Sequence, residues 1–198
     1  VRALEGVDWL KASYVQTRTS ILLAEPIVSR GELYYRRTPA CLVFDVTEPD
    51  PARIWLDERV YQVHRPARRS AGRYLFSSNE LSASLLRCFS PRAETIEALF
   101  ELTDLVRAET LTTLRYRPVR EKTRKFLRAL ELTVRTADHR VQRLVYTDGE
   151  GDVVAIELAV WTSGAETSAA DSEEAARIFS PDLPEGTRVF EHRVQEDG

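Results

Sequence analysis

Histidine and cysteine are the side chains that ligate metals, relay protons or attack carbonyl groups near neutral pH, so they are weighed first. His64, His139 and His192 fall on three separate expected strands or strand ends. None has a Cys, His or carboxylate partner at metal-ligand spacing. Cys41 and Cys88 match neither a zinc spacing nor a CxxC redox pair. Two readings stay open for them: a disulfide if the chain is exported, or two separate buried thiols. No GxSxG, HExxH, GxGxxG or P-loop pattern occurs, and the 31 acidic residues show no spacing that singles out an acid–base pair. The expectation is a protein that is not an enzyme and needs no cofactor or metal.

The densest charge cluster is RYRPVREKTRKFLR, residues 115–128, with seven basic residues against one acid. It has three readings: a solvated loop, a docking surface for an acidic protein or lipid headgroups, or a nucleic-acid contact. The cations surround a Pro-containing connection, and the whole chain carries a formal charge of −3, so no nucleic-acid partner is expected. The 198 residues suffice for one domain, 1–198, with a sizeable core. A composition of 43% hydrophobic and 30% charged residues is that of a globular protein. No apolar run reaches the ~18 residues that a membrane-spanning helix needs. Met is absent throughout and position 1 is Val, which predicts a segment removed ahead of it, such as a signal peptide.

Period-two runs separated by turn residues dominate the chain and predict antiparallel strands. They include SYVQTRTSILL, IVSRGELYYRR, CLVFDVT, RIWLDE, VYQVHR and RRSAGRYLFS in the first half. AETLTTLRYRP, KFLRALELTVRT, HRVQRLVYTD and DVVAIELAVWTS follow, with TDGEGD as a hairpin turn, and RIFSPDLPEGTRVFEHRV ends in a last strand after a Pro/Gly turn. GAETSAADSEEAA reads as a surface loop with a helical turn. Three segments have helical spacing instead. Leu4, Val7 and Leu10 predict an N-terminal helix; Leu81, Leu85, Leu86 and Phe89 predict a second, capped by Asn79. Ile96, Leu99, Phe100 and Leu102 predict a third. The expected fold is mainly β (α+β): an incomplete antiparallel barrel of about ten strands, its concave face covered by the N-terminal helix and a central pair of short helices.

The apolar alternation selects one face. It carries Leu33 and Tyr35, then Leu42, Phe44 and Val46, then Ile54 and Leu56, then Tyr61 and Val63. In the second half it carries Leu130, Leu132 and Val134, then Leu144 and Tyr146, then Val154, Ile156, Leu158 and Val160. Such stripes form a packed core or the lining of an apolar ligand cavity. GELYYRRTP, residues 31–39, carries the Leu33/Tyr35 alternation on to Arg37. Read alone, Arg37 is a cation that snorkels out at the strand end.

Several stretches resemble the LolA family of periplasmic carriers of outer-membrane lipoproteins. SYVQ at 13–16 is similar to the family's SFxQ strand start, and GELYYRRTP to its Gly-x-Leu-x-x-x-Arg-Pro. LVFDVTEPDP, IWLDERVYQVHRP, LELTVRTADHRVQRLVYTDGEG and IFSPDLPEGTRVFE resemble later stretches in the same order, over nearly all of residues 4–191. The resemblance implies a cavity for acyl chains, an inner-membrane ABC transporter or exporter as donor and an outer-membrane acceptor. It also implies a periplasmic location and, for this chain, a monomer. In that family an arginine before the proline bonds carbonyls of the lid helices and holds the empty cavity shut. Arg37 matches that position with Thr38 intervening, and Arg36 is the alternative. Asp57-Glu58 stands where the family has Asp-Gly, which points to a divergent member. Cargo is then acylated lipoprotein, with free lipid or glycolipid, or a lipid-sensing regulatory role, as alternatives.

Overall fold

A computed structural model describes residues 8–76, 99–138, 140–164 and 169–194. In chain order the strands are β1 (Trp9–Thr19), β2 (Ile27–Arg36), β3 (Cys41–Glu48), β4 (Ala52–Leu56), β5 (Val60–Arg65) and β6 (Ser70–Phe76). After them come β7 (Phe100–Arg107), β8 (Leu111–Pro118), β9 (Leu127–Arg135), β10 (Val141–Asp148), β11 (Val153–Gly164) and β12 (Arg188–Val194). A one-turn helix α1 (Glu121–Arg124) precedes β9, and helix α2 (Ala169–Phe179) precedes β12. The strands form one 12-stranded sheet in the order β12-β6-β5-β4-β3-β2-β1-β11-β10-β9-β8-β7. The mainly β expectation holds, and the sheet ends in two edge strands without closing.

The described residues fall into two compact units. The first holds 14–29, 99–138 and 140–159; the second holds 8–13, 30–76, 160–164 and 169–194. β1, β2 and β11 each contribute residues to both.

The helical expectations need correcting where they are described. Leu4 and Val7, the whole of the Leu81–Phe89 helix and Ile96 lie outside the described residues. Leu10, however, is in β1, where it alternates with the buried Ala12 and Tyr14. Ala12 is too small to announce a strand, so the helix-like spacing of Leu4, Val7 and Leu10 stood out instead. Leu99 is in a turn, while Phe100 and Leu102 belong to β7, a strand that the apolar spacing concealed. The i, i+3 run of Ile96, Leu99 and Leu102 has helical spacing, but it extends across the start of the strand. Leu102 faces Tyr116 and Leu105 faces Leu114, with a shift between Leu102 and Asp104.

Two further departures concern the C-terminal part. AADSEEAARIF forms three turns of helix, not a loop with one turn. Its Ala and Glu residues favour helix, and Ala175, Ile178 and Phe179 form a short apolar stripe at i, i+3 and i+4. Pro181 stands two residues past its end. β12 pairs with β6 in parallel, so the sheet is not wholly antiparallel. Returning in the same direction needs a long crossover, and the stretch containing α2 provides it.

Gly31 and Gly149 are sterically required, the latter because a Cβ would lie 1.7 Å from the backbone O of Lys125. Gly31 sits at a register shift in β2, and a Cβ there would lie 1.9 Å from the backbone O of Asp45.

Candidate functional site

In the second unit the pairing aligns the expected apolar positions across strands. Leu33 faces Phe44, Phe44 faces Ile54, Ile54 faces Val63, and Val63 faces Gly72. The next row runs from Tyr35 through Leu42, Leu56 and Tyr61 to Tyr74. Val46 lies between Gly31 and Ala52. Directly paired residues share a face, so all nine positions expected in this half stand together. Leu33, Tyr35, Leu42, Leu56 and Val63 are buried, and Phe44, Val46, Ile54 and Tyr61 are half-buried. His192 extends the second row, stacking on Tyr74 with ring centroids 4.9 Å apart.

The first unit repeats the pattern. One row runs Leu105–Leu114–Leu132–Leu144–Ile156, and a second runs Leu102–Tyr116–Leu130–Tyr146–Val154. Val134 shares this face through Thr112, and Leu158 follows Ile156 by one strand repeat. Leu130, Leu132, Leu144, Val154, Ile156 and Leu158 are buried, whereas Leu102 and Leu105 at the β7 edge are exposed. Phe100, expected on a lid helix, is buried and meets Tyr116 edge-on. Val160 lies in β11, and nothing is described of its side chain.

The opposite faces differ. In the second unit Tyr34, Cys41, Val43 and Trp55 pack against Ala175 and Phe179 of α2, with Trp9, Val60 and Ile178 around them. The last carbonyls of a helix have no intrahelical donor. Here β4 and β5 supply donors: Arg53 Nη2 donates to Ile178 O, Trp55 Nε1 to Phe179 O at 3.0 Å, and Gln62 Nε2 to Pro181 O just beyond at 2.8 Å. A guanidinium also suits the negative end of the helix dipole. Arg53 holds Asp45 at 3.2 Å. Burial nevertheless pushes the Asp45 carboxyl above its usual range, with Arg53 opposing that shift. In the first unit the opposite face is charged instead. Arg115 bridges Asp104 at 2.7 Å and Glu131 at 2.9 Å, Arg143 joins Glu131 at 3.1 Å, and Arg117 joins Glu101 at 2.8 Å.

The two candidate arginines separate on these faces. Arg36 pairs with Cys41, on the α2 side, and its guanidinium carbon lies 4.8 Å from the centre of the Phe179 ring. Its Nε also donates to Pro39 O at 3.3 Å. Arg37 follows the last residue of β2 and is half-buried, and its backbone N–H donates to Asp8 O at 3.0 Å. The peptide bonds before Pro39 and Pro49 are cis. Cys41 lies under α2, where burial pushes its thiol up to about 12. Cys88 lies outside the described residues.

Sequence reasoning missed Arg53, Trp55 and Gln62. The signal available was Trp55 and Gln62 alternating on the polar side of their strands, where neither has reason to be buried unless something packs there. Among the described residues no three His, Cys, Asp or Glu side chains are grouped as metal ligands, and no helix is long and apolar enough to cross a membrane.

No family model and no curated protein matches this sequence. Solved structures do resemble it in fold. An uncharacterized conserved protein from Thermus thermophilus is 15% identical and aligns at a TM-score of 0.53, covering 96% of this chain and 95% of its own. Other structures align at lower scores. A putative outer membrane lipoprotein-sorting protein domain from Vibrio parahaemolyticus is 10% identical, with a TM-score of 0.44 over 88% of this chain and 93% of its own. The LolA superfamily protein NE2245 from Nitrosomonas europaea is 12% identical, with a TM-score of 0.37 over 81% and 91%.

Proposed function

We propose that this chain is a periplasmic carrier that holds acyl chains of a lipoprotein against its apolar sheet face and moves them between membranes. The observation that carries this reading is the alignment of apolar side chains in rows across five strands in each unit. Ionic groups are placed on the other face, as the Asp45–Arg53 pair and the Arg115–Glu131–Arg143 ladder illustrate. A face of that breadth binds hydrocarbon through non-directional burial, which suits cargo differing in all but its acyl chains. The motif resemblance supplies the cargo class, with an inner-membrane transporter and an outer-membrane acceptor as partners. No bond is made or broken, and the carrier works as a monomer.

Arg37 is the proposed latch, because its position continues the alternation of Leu33 and Tyr35, whereas Arg36 pairs with Cys41 on the α2 side. Native mass spectrometry of the protein purified from its own cell envelope tests the reading. Co-purifying acylated lipoprotein supports it, a free lipid moves the cargo to the second class, and failure to retain any lipid refutes both. For the latch, Arg37→Leu is expected to leave folding intact and to change cargo retention; unaltered retention removes the role.

A further inference from the structure

The loops at one end of the first unit carry an amphipathic surface that lipid carriage does not use. Between β1 and β2, Leu23 N donates to Ser20 O and Leu22 N to Ser20 Oγ, both at 3.2 Å, and this tight turn leaves Ile21 89% and Leu22 85% exposed. Leu23 beside them is 42% exposed. Between β8 and β9, Val119 and Phe126 are 51% and 50% exposed. The β10–β11 hairpin ties the two loops together. Its Asp152 holds Arg18 at 2.6 Å, and its Gly149 N donates to Phe126 O at 2.9 Å. Around Val119 and Phe126 stand Arg120, Arg124, Lys125 and Arg128, all exposed. Arg124 donates to Pro118 O and Val119 O, and Arg128 to Gly149 O; bonds to neutral carbonyls leave the cationic charge in place.

We propose that this end of the unit docks on an anionic lipid bilayer, with Ile21, Leu22 and Phe126 entering the interface and the cations meeting headgroup phosphates. Projecting aliphatic tips flanked by Arg and Lys match the two signals that interfacial binding combines, apolar insertion and attraction to anionic lipid. The charge commits the surface to anionic lipid over a neutral bilayer. The inference stands independently of the carrier reading, since none of these residues belongs to the apolar rows.

Flotation with vesicles of phosphatidylcholine alone, or of phosphatidylcholine with phosphatidylglycerol, tests it. The protein is expected to float only with the anionic vesicles and to be released by salt. The double variant Ile21→Ser/Leu22→Ser and the double variant Arg120→Glu/Lys125→Glu should each lower binding by about tenfold at unchanged melting temperature. Absence of binding to anionic vesicles overturns the proposal. So does flotation that persists in both variants, which reports lipid uptake on the apolar face. A dimer that Ile21→Ser/Leu22→Ser dissociates, without any flotation, assigns the tip to self-association and overturns it as well.

Discussion

The two units build the same kind of apolar face and finish the reverse side in opposite ways. In the second unit a helix covers that side, and burial there includes Trp55, Gln62 and a cysteine thiol. In the first unit the reverse side carries a ladder of ion pairs, most of them exposed. The difference teaches where each unit keeps its stability. Desolvated packing is worth several kcal/mol per large side chain, whereas exposed ion pairs contribute about 0–1 kcal/mol each.

The largest effect is therefore expected from Phe179→Ala, which removes the ring, 2% exposed, with which the end of α2 packs on the sheet. It should cost ~3–5 kcal/mol in urea unfolding. A loss no greater than that of an exposed pair would break the comparison. Leu144→Ala, at a position fully buried in the apolar face of the first unit, is expected to cost ~2–5 kcal/mol by the same measurement. Near-neutrality there would mean that the rows of the first unit are not a packed surface. Trp55→Phe keeps the ring and removes the donor to Phe179 O, so it isolates the helix cap; about 1–2 kcal/mol should be lost. Glu131→Gln, which breaks two ladder contacts, should change stability by less than about 1 kcal/mol, and the change should vanish in high salt.

Smaller, but of informative sign, is the pH dependence of the second unit. Hydrogen bonds from Lys11 and Tyr34 lower the Glu32 pKa, Lys11 acting most strongly. A lowered carboxylate contributes stability that is present above its ordinary pKa and lost as pH falls through the folded value. Asp45, raised by burial, acts in the reverse sense: its contribution is present below the ordinary Asp value and lost as pH rises through the folded one. Lys11→Gln should flatten the Glu32 limb in a urea-midpoint series taken down through the carboxylate range. Cys41 offers a further check. A buried thiol pushed to about 12 stays protonated at neutral pH, so in a Cys88→Ser background it should resist iodoacetamide until urea unfolds the chain.

Much of the apolar face was legible in the sequence because strand alternation is a local property. Leu33 and Tyr35, or Leu130 and Leu132, point the same way whatever their strands pair with. Where the reading failed, a local signal imitated another element or gave none. The i, i+3 spacing of Ile96, Leu99 and Leu102 imitated a helix across the start of β7, Ala12 hid the start of β1, and the Ala- and Glu-rich α2 looked like a polar loop. Arg53 of β4, which donates to a carbonyl at the end of α2, gave no signal at all, since no local pattern distinguishes it from the chain's other arginines.

What the sequence by itself determined is the mainly β class and the apolar side of the strands that it recognised, because these follow from the order of neighbouring side chains. Only the tertiary structure decided that α2 covers the Tyr34–Trp55 side, that β12 joins β6 in parallel, and that Cys41 lies under a helix. Those outcomes depend on contacts between residues more than a hundred positions apart, such as Trp55 with Phe179. Their free energy is gained only when both partners are desolvated together.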